Sequence, residues 1–237
     1  MAPESRMMLR MDRRWSLSLV LLVPLTFGLA CRRKEAPPNR LVNPSFEEGR
    51  RGWSWRSANP RWHDFEISSA RAREGRCSAH LRLSPQGGDH DIWGVVQALP
   101  QPRLPESLEA WVRVENWRQP AIRQYIQIVV MAHEGPSISI PGDTTRQVRY
   151  ILAGLDGPPL ANPSNCRYLM RGPKVPVQGA WTHIELPLAE DFRKAWGDRS
   201  GKITKVELFF EVRYDDPVPE GETARADVYW DAITLKP

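Results

Sequence analysis

The chain is poor in the side chains that carry most enzyme chemistry. Its 237 residues include three cysteines and five histidines, and the histidines at 63, 80, 90, 133 and 183 stand far apart. No HExxH, CxxC, GxSxG or P-loop spacing occurs, which excludes a motif-borne zinc site, a serine-hydrolase elbow and a nucleotide-phosphate cradle. Long apolar runs are equally scarce, because the longest uncharged stretch is the single segment ending at Cys31. Internal repeats and low-complexity tracts are absent. With 41% hydrophobic and 26% charged residues, global disorder and a multi-span membrane protein are excluded as well. Twenty-two prolines spread along the chain leave little room for long helices and favour short extended segments.

Charge of one sign is also missing from the body of the chain. The formal net charge is +5. Arg6, Arg10, Arg13 and Arg14 outnumber Glu4 and Asp12 by two, and Arg32, Arg33 and Lys34 add three more, so residues 41–237 are close to neutral. No basic stripe interleaved with aromatics marks a nucleic-acid surface, and no nucleic-acid partner is expected. The basic tract after Cys31 suits anionic lipid headgroups.

Residues 15–30, WSLSLVLLVPLTFGLA, follow two arginines, carry no charge and end in small residues. That is the pattern of a secretory leader, too short and too broken by Pro24 and Gly28 for a spanning helix. The ending Phe27-Gly28-Leu29-Ala30-Cys31 resembles a bacterial lipobox, with Gly28 where leucine is more usual. The resemblance implies an exported lipoprotein whose Cys31 is lipidated and anchors the chain to a membrane of the bacterial cell envelope, facing the periplasm or the exterior. An ordinary signal peptide with an incidental cysteine is the alternative. Residues 1–30 are thus read as leader, 31–40 as a charged, proline-bearing tether and 41–237 as one domain. Export permits disulfides; Cys77 and Cys166 are then an even pair free to bridge, the alternative being two separately buried thiols.

From Leu41 onward the chain is a succession of short alternating or apolar runs: HLRLSP, IWGVVQAL, SLEAWVRVENW, QYIQIVVMAH, QVRYILAGL, WTHIELPL, KVELFFEVRY and ADVYWDAITL. In SLEAWVRVENW, Leu108, Ala110, Val112 and Val114 share one face. Such runs separated by turn residues predict an all-β sandwich or jelly roll. One helix is expected in LAEDFRKAWG, where Leu188, Phe192 and Trp196 recur every four residues. Five prolines between Asp156 and Pro176 predict a long surface loop containing Cys166.

Ten tryptophans supply material for stacking on sugar rings. Trp53, Trp111, Trp181 and Trp230 are expected in the core, whereas Trp62 and Trp93 are the favoured ligand platforms because acids and histidines flank them in PRWHDF and GGDHDIWG. Asp89 and Asp91 would then bond ligand hydroxyls, with Trp55 a further candidate.

Four segments, in order, resemble galactose-binding-like carbohydrate-binding modules. They are Asn43-Pro44-Ser45-Phe46-Glu47 with Gly49, Gly52 and Trp53; Glu74-Gly75-Arg76-Cys77-Ser78 leading to Leu83; Val96-Gln97 followed by Leu108 to Arg113; and Val228-Tyr229-Trp230-Asp231 leading to Leu235. The resemblance implies a jelly-roll β-sandwich whose first and last strands pair. It also implies a structural calcium site where the ends meet, held by Glu47, Asp231 and carbonyls around residues 74–76, a chemically adequate oxygen set if water completes it.

The function this implies is non-catalytic glycan binding by an anchored module. Two other readings stand beside it: an envelope lipoprotein using the sandwich for protein–protein contacts, and a jelly-roll polysaccharide lyase or hydrolase. QYIQIVV resembles half of the lyase constellation, but its partner strand motif is missing.

Overall fold

The computed structural model describes residues 41–85, 87–99, 103–134, 145–159, 163–199 and 202–236. The leader, Cys31 and the tether lie outside the described residues. Eleven strands and one helix follow in chain order: β1 Trp62–His63, β2 Glu66–Ser68, β3 Ser78–Leu83, β4 Asp91–Leu99, β5 Ser107–Arg118, β6 Gln124–Glu134, β7 Thr145–Ala153, β8 Cys166–Met170, β9 Trp181–Leu186, α1 Leu188–Trp196, β10 Ile203–Tyr214 and β11 Arg225–Lys236. They form a six-stranded sheet in the order β1-β4-β10-β6-β7-β8 and a five-stranded sheet in the order β2-β3-β11-β5-β9. Pairing is antiparallel except for β1 with β4 and β7 with β8. The chain crosses between the sheets from β1 to β2, β3 to β4, β4 to β5, β5 to β6, β8 to β9, β9 to β10 and β10 to β11, which makes the sandwich a jelly roll.

The two-residue period decides what each sheet turns inward. On β10, Val206, Leu208, Phe210, Val212 and Tyr214 enter the core, whereas Glu207, Phe209, Glu211 and Arg213 take the opposite face. On β5 the inward set is Leu108, Ala110, Val112 and Val114, as the alternation predicts. An aromatic chain runs through the centre: Phe46 to Trp53 at 4.9 Å, Trp53 to Phe210 at 5.9 Å and Phe210 to Trp230 at 5.0 Å between ring centroids.

Helix α1 forms where four-residue spacing puts Leu188 and Phe192 on the buried side, with Trp196 packed against the core. Glu190 and Asp191 in its first turn and Arg193 and Lys194 in its last complement the helix dipole.

Three expectations need correction. Residues 41–56 contribute no sheet strand: they form consecutive turns that seat Phe46 and Trp53 in the core, with only Ser54 bridging to Val96. The last strand therefore pairs with β3 and β5, and its tie to the opening is the Ile233 N–H bonded to the Pro44 carbonyl at 3.1 Å. The proline-rich excursion is not structureless either, because its Cys166–Met170 adds β8 to the sheet edge and the Gly154 N–H bonds to the Pro173 and Lys174 carbonyls. Finally, Cys77 and Cys166 are both free thiols. Cys77 precedes β3 in one sheet, and Cys166 opens the outer edge of the other, a separation of place that disulfide geometry does not tolerate.

Candidate functional site

The outer face of the six-stranded sheet carries a groove of about 310 Å³. Its floor follows from strand register. Phe209 of β10 lies opposite Val96 of β4 and Val129 of β6, and Val129 lies opposite Arg149 of β7. Val96, Phe209 and Val129 form a small buried apolar cluster, with Trp62 and Met131 packed on it.

Trp62 reaches this face because β1 runs parallel to β4, with Trp62 opposite Ile92. Its indole covers Gly94: a Cβ on that residue would stand 2.5 Å from the six-membered ring. The indole N–H donates to the Gly94 carbonyl at 3.3 Å, and Phe209 lies 5.8 Å away at 60°. Trp62 thus rests on the sheet and remains half-exposed.

Polar side chains rim this apolar floor. Arg56 donates to Glu207 at 2.9 Å and lies 4.9 Å from the centre of the Phe209 ring. His133 Nε2 is 2.7 Å from the same Glu207 oxygen, and Lys205 is 3.0 Å from the other. Burial pushes the Glu207 carboxyl up, but the bonds from Lys205 and His133 and the Arg56 charge outweigh it and hold Glu207 below the usual carboxylate range. Glu211 accepts a bond of 2.6 Å from Gln127, whose own carbonyl oxygen is buried without a partner among the described residues. Arg213 donates to Asp215 at 2.9 Å, and Asp215 also accepts the Tyr125 hydroxyl at 2.5 Å. Burial drives the Tyr125 phenol well above its ordinary value. Arg149 is braced by Gln147 Oε1, at 3.1 Å from Nε and 2.8 Å from Nη2.

The residues singled out from sequence fall in different places. Trp62 lines the groove. Trp93 is instead buried, because the pairing that turns Trp62 outward sets His63 opposite Trp93 on the inner side, where the two rings stack at 4.5 Å. Asp91 is also buried; it accepts the Tyr214 hydroxyl at 2.5 Å and lies 3.1 Å from His63. Asp89 is exposed and bonds to His90 at 2.7 Å, outside the groove lining, and Trp55 lies beside Arg50. Neither Asp89, Asp91, Trp55 nor Trp93 joins Trp62 on the groove. Phe209, Arg149, Glu207 and Glu211 were not anticipated. The signal for Phe209 was present in KVELFFEVRY, where it is the aromatic in the polar phase.

Glu47 and Asp231 do converge on the loop at residues 73–77. Glu47 Oε1 accepts the N–H groups of Arg76 at 2.8 Å and Cys77 at 2.7 Å. Asp231 accepts those of Arg73 at 2.6 Å, Glu74 at 3.0 Å and Ala232 at 2.7 Å. Gly75, with φ +62°, lets the loop wrap this closely; a Cβ there would meet the Glu47 carboxyl at 2.5 Å. The loop is therefore an anion-binding nest already filled by the protein's own carboxylates. Calcium asks for six to eight oxygens, whereas the loop's N–H groups, not its carbonyls, face the two carboxylates.

The described residues define a jelly-roll sandwich with an aromatic-floored, charge-rimmed groove on one outer face. No family model and no curated protein matches the chain. Among solved structures it is similar to a CBM61 carbohydrate-binding module in complex with β-1,4-galactotriose, at 13% identity over 84% of this chain and 98% of that one, TM-score 0.42. It is similar also to the CBM22-1 xylan-binding domain of Paenibacillus barcinonensis Xyn10C, at 17% identity over 81% and 92%, TM-score 0.39. A third is a cellulase derived from Cel12A of Rhodothermus marinus, at 10% identity over 73% and 91%, TM-score 0.42. At these values the likeness assigns no residue role and no ligand to this chain.

Proposed function

We propose that this chain is a non-catalytic glycan-binding module held at a membrane through lipid on Cys31. The observation that carries the binding part is Trp62, seated over Gly94 beside Phe209 in a groove rimmed by Arg56, Gln147, Arg149 and Glu211. A flat apolar platform ringed by hydrogen-bonding groups meets both faces of a sugar's chemistry, its C–H side and its hydroxyls. Binding is favoured over hydrolysis because, among the described residues, the groove lining holds one carboxylate, Glu211, and the neighbouring Glu207 is engaged by Arg56, His133 and Lys205, whereas a glycosidase needs a pair of carboxylates ~5–10 Å apart. A lyase is disfavoured because Tyr125 is fully buried and its hydroxyl is committed to Asp215.

Isothermal titration of the chain against a panel of soluble polysaccharides tests the reading; binding that survives Trp62→Ala unchanged would sink it. Anchoring is tested by detergent-phase partition in a bacterial host, expected to be lost on Cys31→Ser.

A protein partner is the second reading, favoured by Val175 and Val177, which are 65% and 60% exposed on the segment after β8. Its test is co-purification from the envelope that Val175→Ser with Val177→Ser abolishes while glycan binding persists.

A further inference from the structure

The cations of the groove are not equivalent. Arg56 is paired with Glu207, and Arg213 with Asp215. Arg149 forms no ion pair among the described residues; its neighbours are the neutral Gln147 amide and the Tyr168 ring, whose centre lies 5.7 Å away. Gln147 engages Nε and Nη2, so Nη1 and the second Nη2 hydrogen have no acceptor among the described residues while the guanidinium plane is already fixed. Holding that fork in place removes much of the ordering cost of a two-point contact, and a fixed guanidinium fork matches a carboxylate in two parallel bonds.

The position of Arg149 adds direction. In register, Phe209 lies opposite Val129 and Val129 opposite Arg149, so the apolar platform and the unpaired cation are two strand spacings apart, roughly 10 Å. One ligand laid across the strands would rest a ring on Trp62 and Phe209 and carry an anionic group to Arg149. Two residues along β10 from Phe209, Glu207 is encircled by Arg56, His133 and Lys205, which leaves Arg149 as the groove cation free to answer a ligand's negative charge.

Resting on the glycan-binding reading of this face, we infer that the ligand is an acidic polysaccharide, one whose sugar units bear carboxylates, and that Arg149 is the residue that selects for them. The contact is non-covalent, and its strength should fall with added salt.

The test uses the chain titrated with polygalacturonate, with its fully methyl-esterified form and with neutral xylan. The expected result is about tenfold tighter binding of the acid than of the ester. Arg149→Gln should erase that difference at unchanged melting temperature, and Arg149→Lys, which keeps charge without the fork, should restore only part of it. Equal affinity for acid and ester, or a preference that persists in Arg149→Gln, would overturn the inference while leaving glycan binding intact. Absence of binding to all three would remove the glycan reading and this inference with it.

Discussion

The outer face of the five-stranded sheet carries rings and charges as the groove face does, and those at its centre are answered by neighbours. His80 stacks on Tyr229 at 4.4 Å and 8°, and its Nε2 lies 2.8 Å from Asp227, which also accepts from Asn116 at 2.7 Å. Glu115 takes bonds of 2.7 Å from both Arg71 and Arg113. Trp111 has the Arg73 guanidinium 4.1 Å from its centroid and the His183 ring at 4.9 Å. On the groove face Trp62 rests on the sheet, but among the described residues it carries no cation and no second ring beyond Phe209, and Arg149 pairs with no acid. Both faces are built by the same alternation. What separates them is that one closes its polar side chains into networks and the other leaves an aromatic surface and a cation unanswered, which is the signature expected of a surface kept for a ligand.

The largest expected effect contrasts one outer-face tryptophan of each sheet, Trp62 and Trp111, the latter half-buried on the outer face rather than in the core as expected from sequence. Trp62→Ala should weaken glycan binding by about 30-fold, on the order of 2 kcal/mol for a central aromatic contact, with little change in melting temperature. Trp111→Ala should leave affinity unchanged. Titrations giving equal losses for both variants would break the distinction between the faces.

Next is Asp227→Asn, which should cost about 1.5 kcal/mol of stability for a buried charged hydrogen-bond acceptor and nothing in affinity. Burial pushes the Asp227 carboxyl up, but the bonds from Asn116 and His80 overcome it and hold it below the usual carboxylate range. A depressed carboxyl stabilises the fold above its unfolded pKa and loses that contribution as pH falls through the folded one. Urea unfolding of the wild type should therefore show stability dropping as the pH falls below about 4, with a shallower drop in Asp227→Asn; parallel curves would remove Asp227 from the account. Smaller again is Gly94→Ala, where the added Cβ, 2.5 Å from the indole, should lift Trp62 off the sheet and reduce affinity severalfold without unfolding. A full-affinity Gly94→Ala protein would mean that the ring's seat is unimportant.

Most of the frame was legible because it is periodic. Eight of the alternating or apolar runs became strands, and the four-residue spacing of Leu188, Phe192 and Trp196 marked the helix. The groove was far less legible, since residues 62, 94, 129, 149 and 209 meet only through strand register, which no local pattern encodes. The choice between Trp62 and Trp93 turned on β1, a strand of two residues whose parallel pairing sends Trp62 out and His63 in; flanking acids and histidines looked equally good at both. The convergence of Glu47 and Asp231 was anticipated from the resemblance. The groups they meet were not, because a backbone that offers N–H and one that offers C=O have the same sequence.

That last point sets the smallest expected effect, a shift of zero. Two bonds from the Arg76 and Cys77 amides lower the Glu47 pKa, and burial raises that of Asp231 against three amide bonds. With amide donors occupying the carboxylates, chelator treatment should leave the melting temperature where it was, and added calcium should not raise it. Glu47→Gln should lower it, because one acceptor of the two amides is weakened and an amide donor is turned toward N–H groups. A calcium-dependent rise in melting temperature that Glu47→Gln abolishes would reverse the assignment of this loop, and with it the view that the two ends of the domain are closed by the chain's own charges.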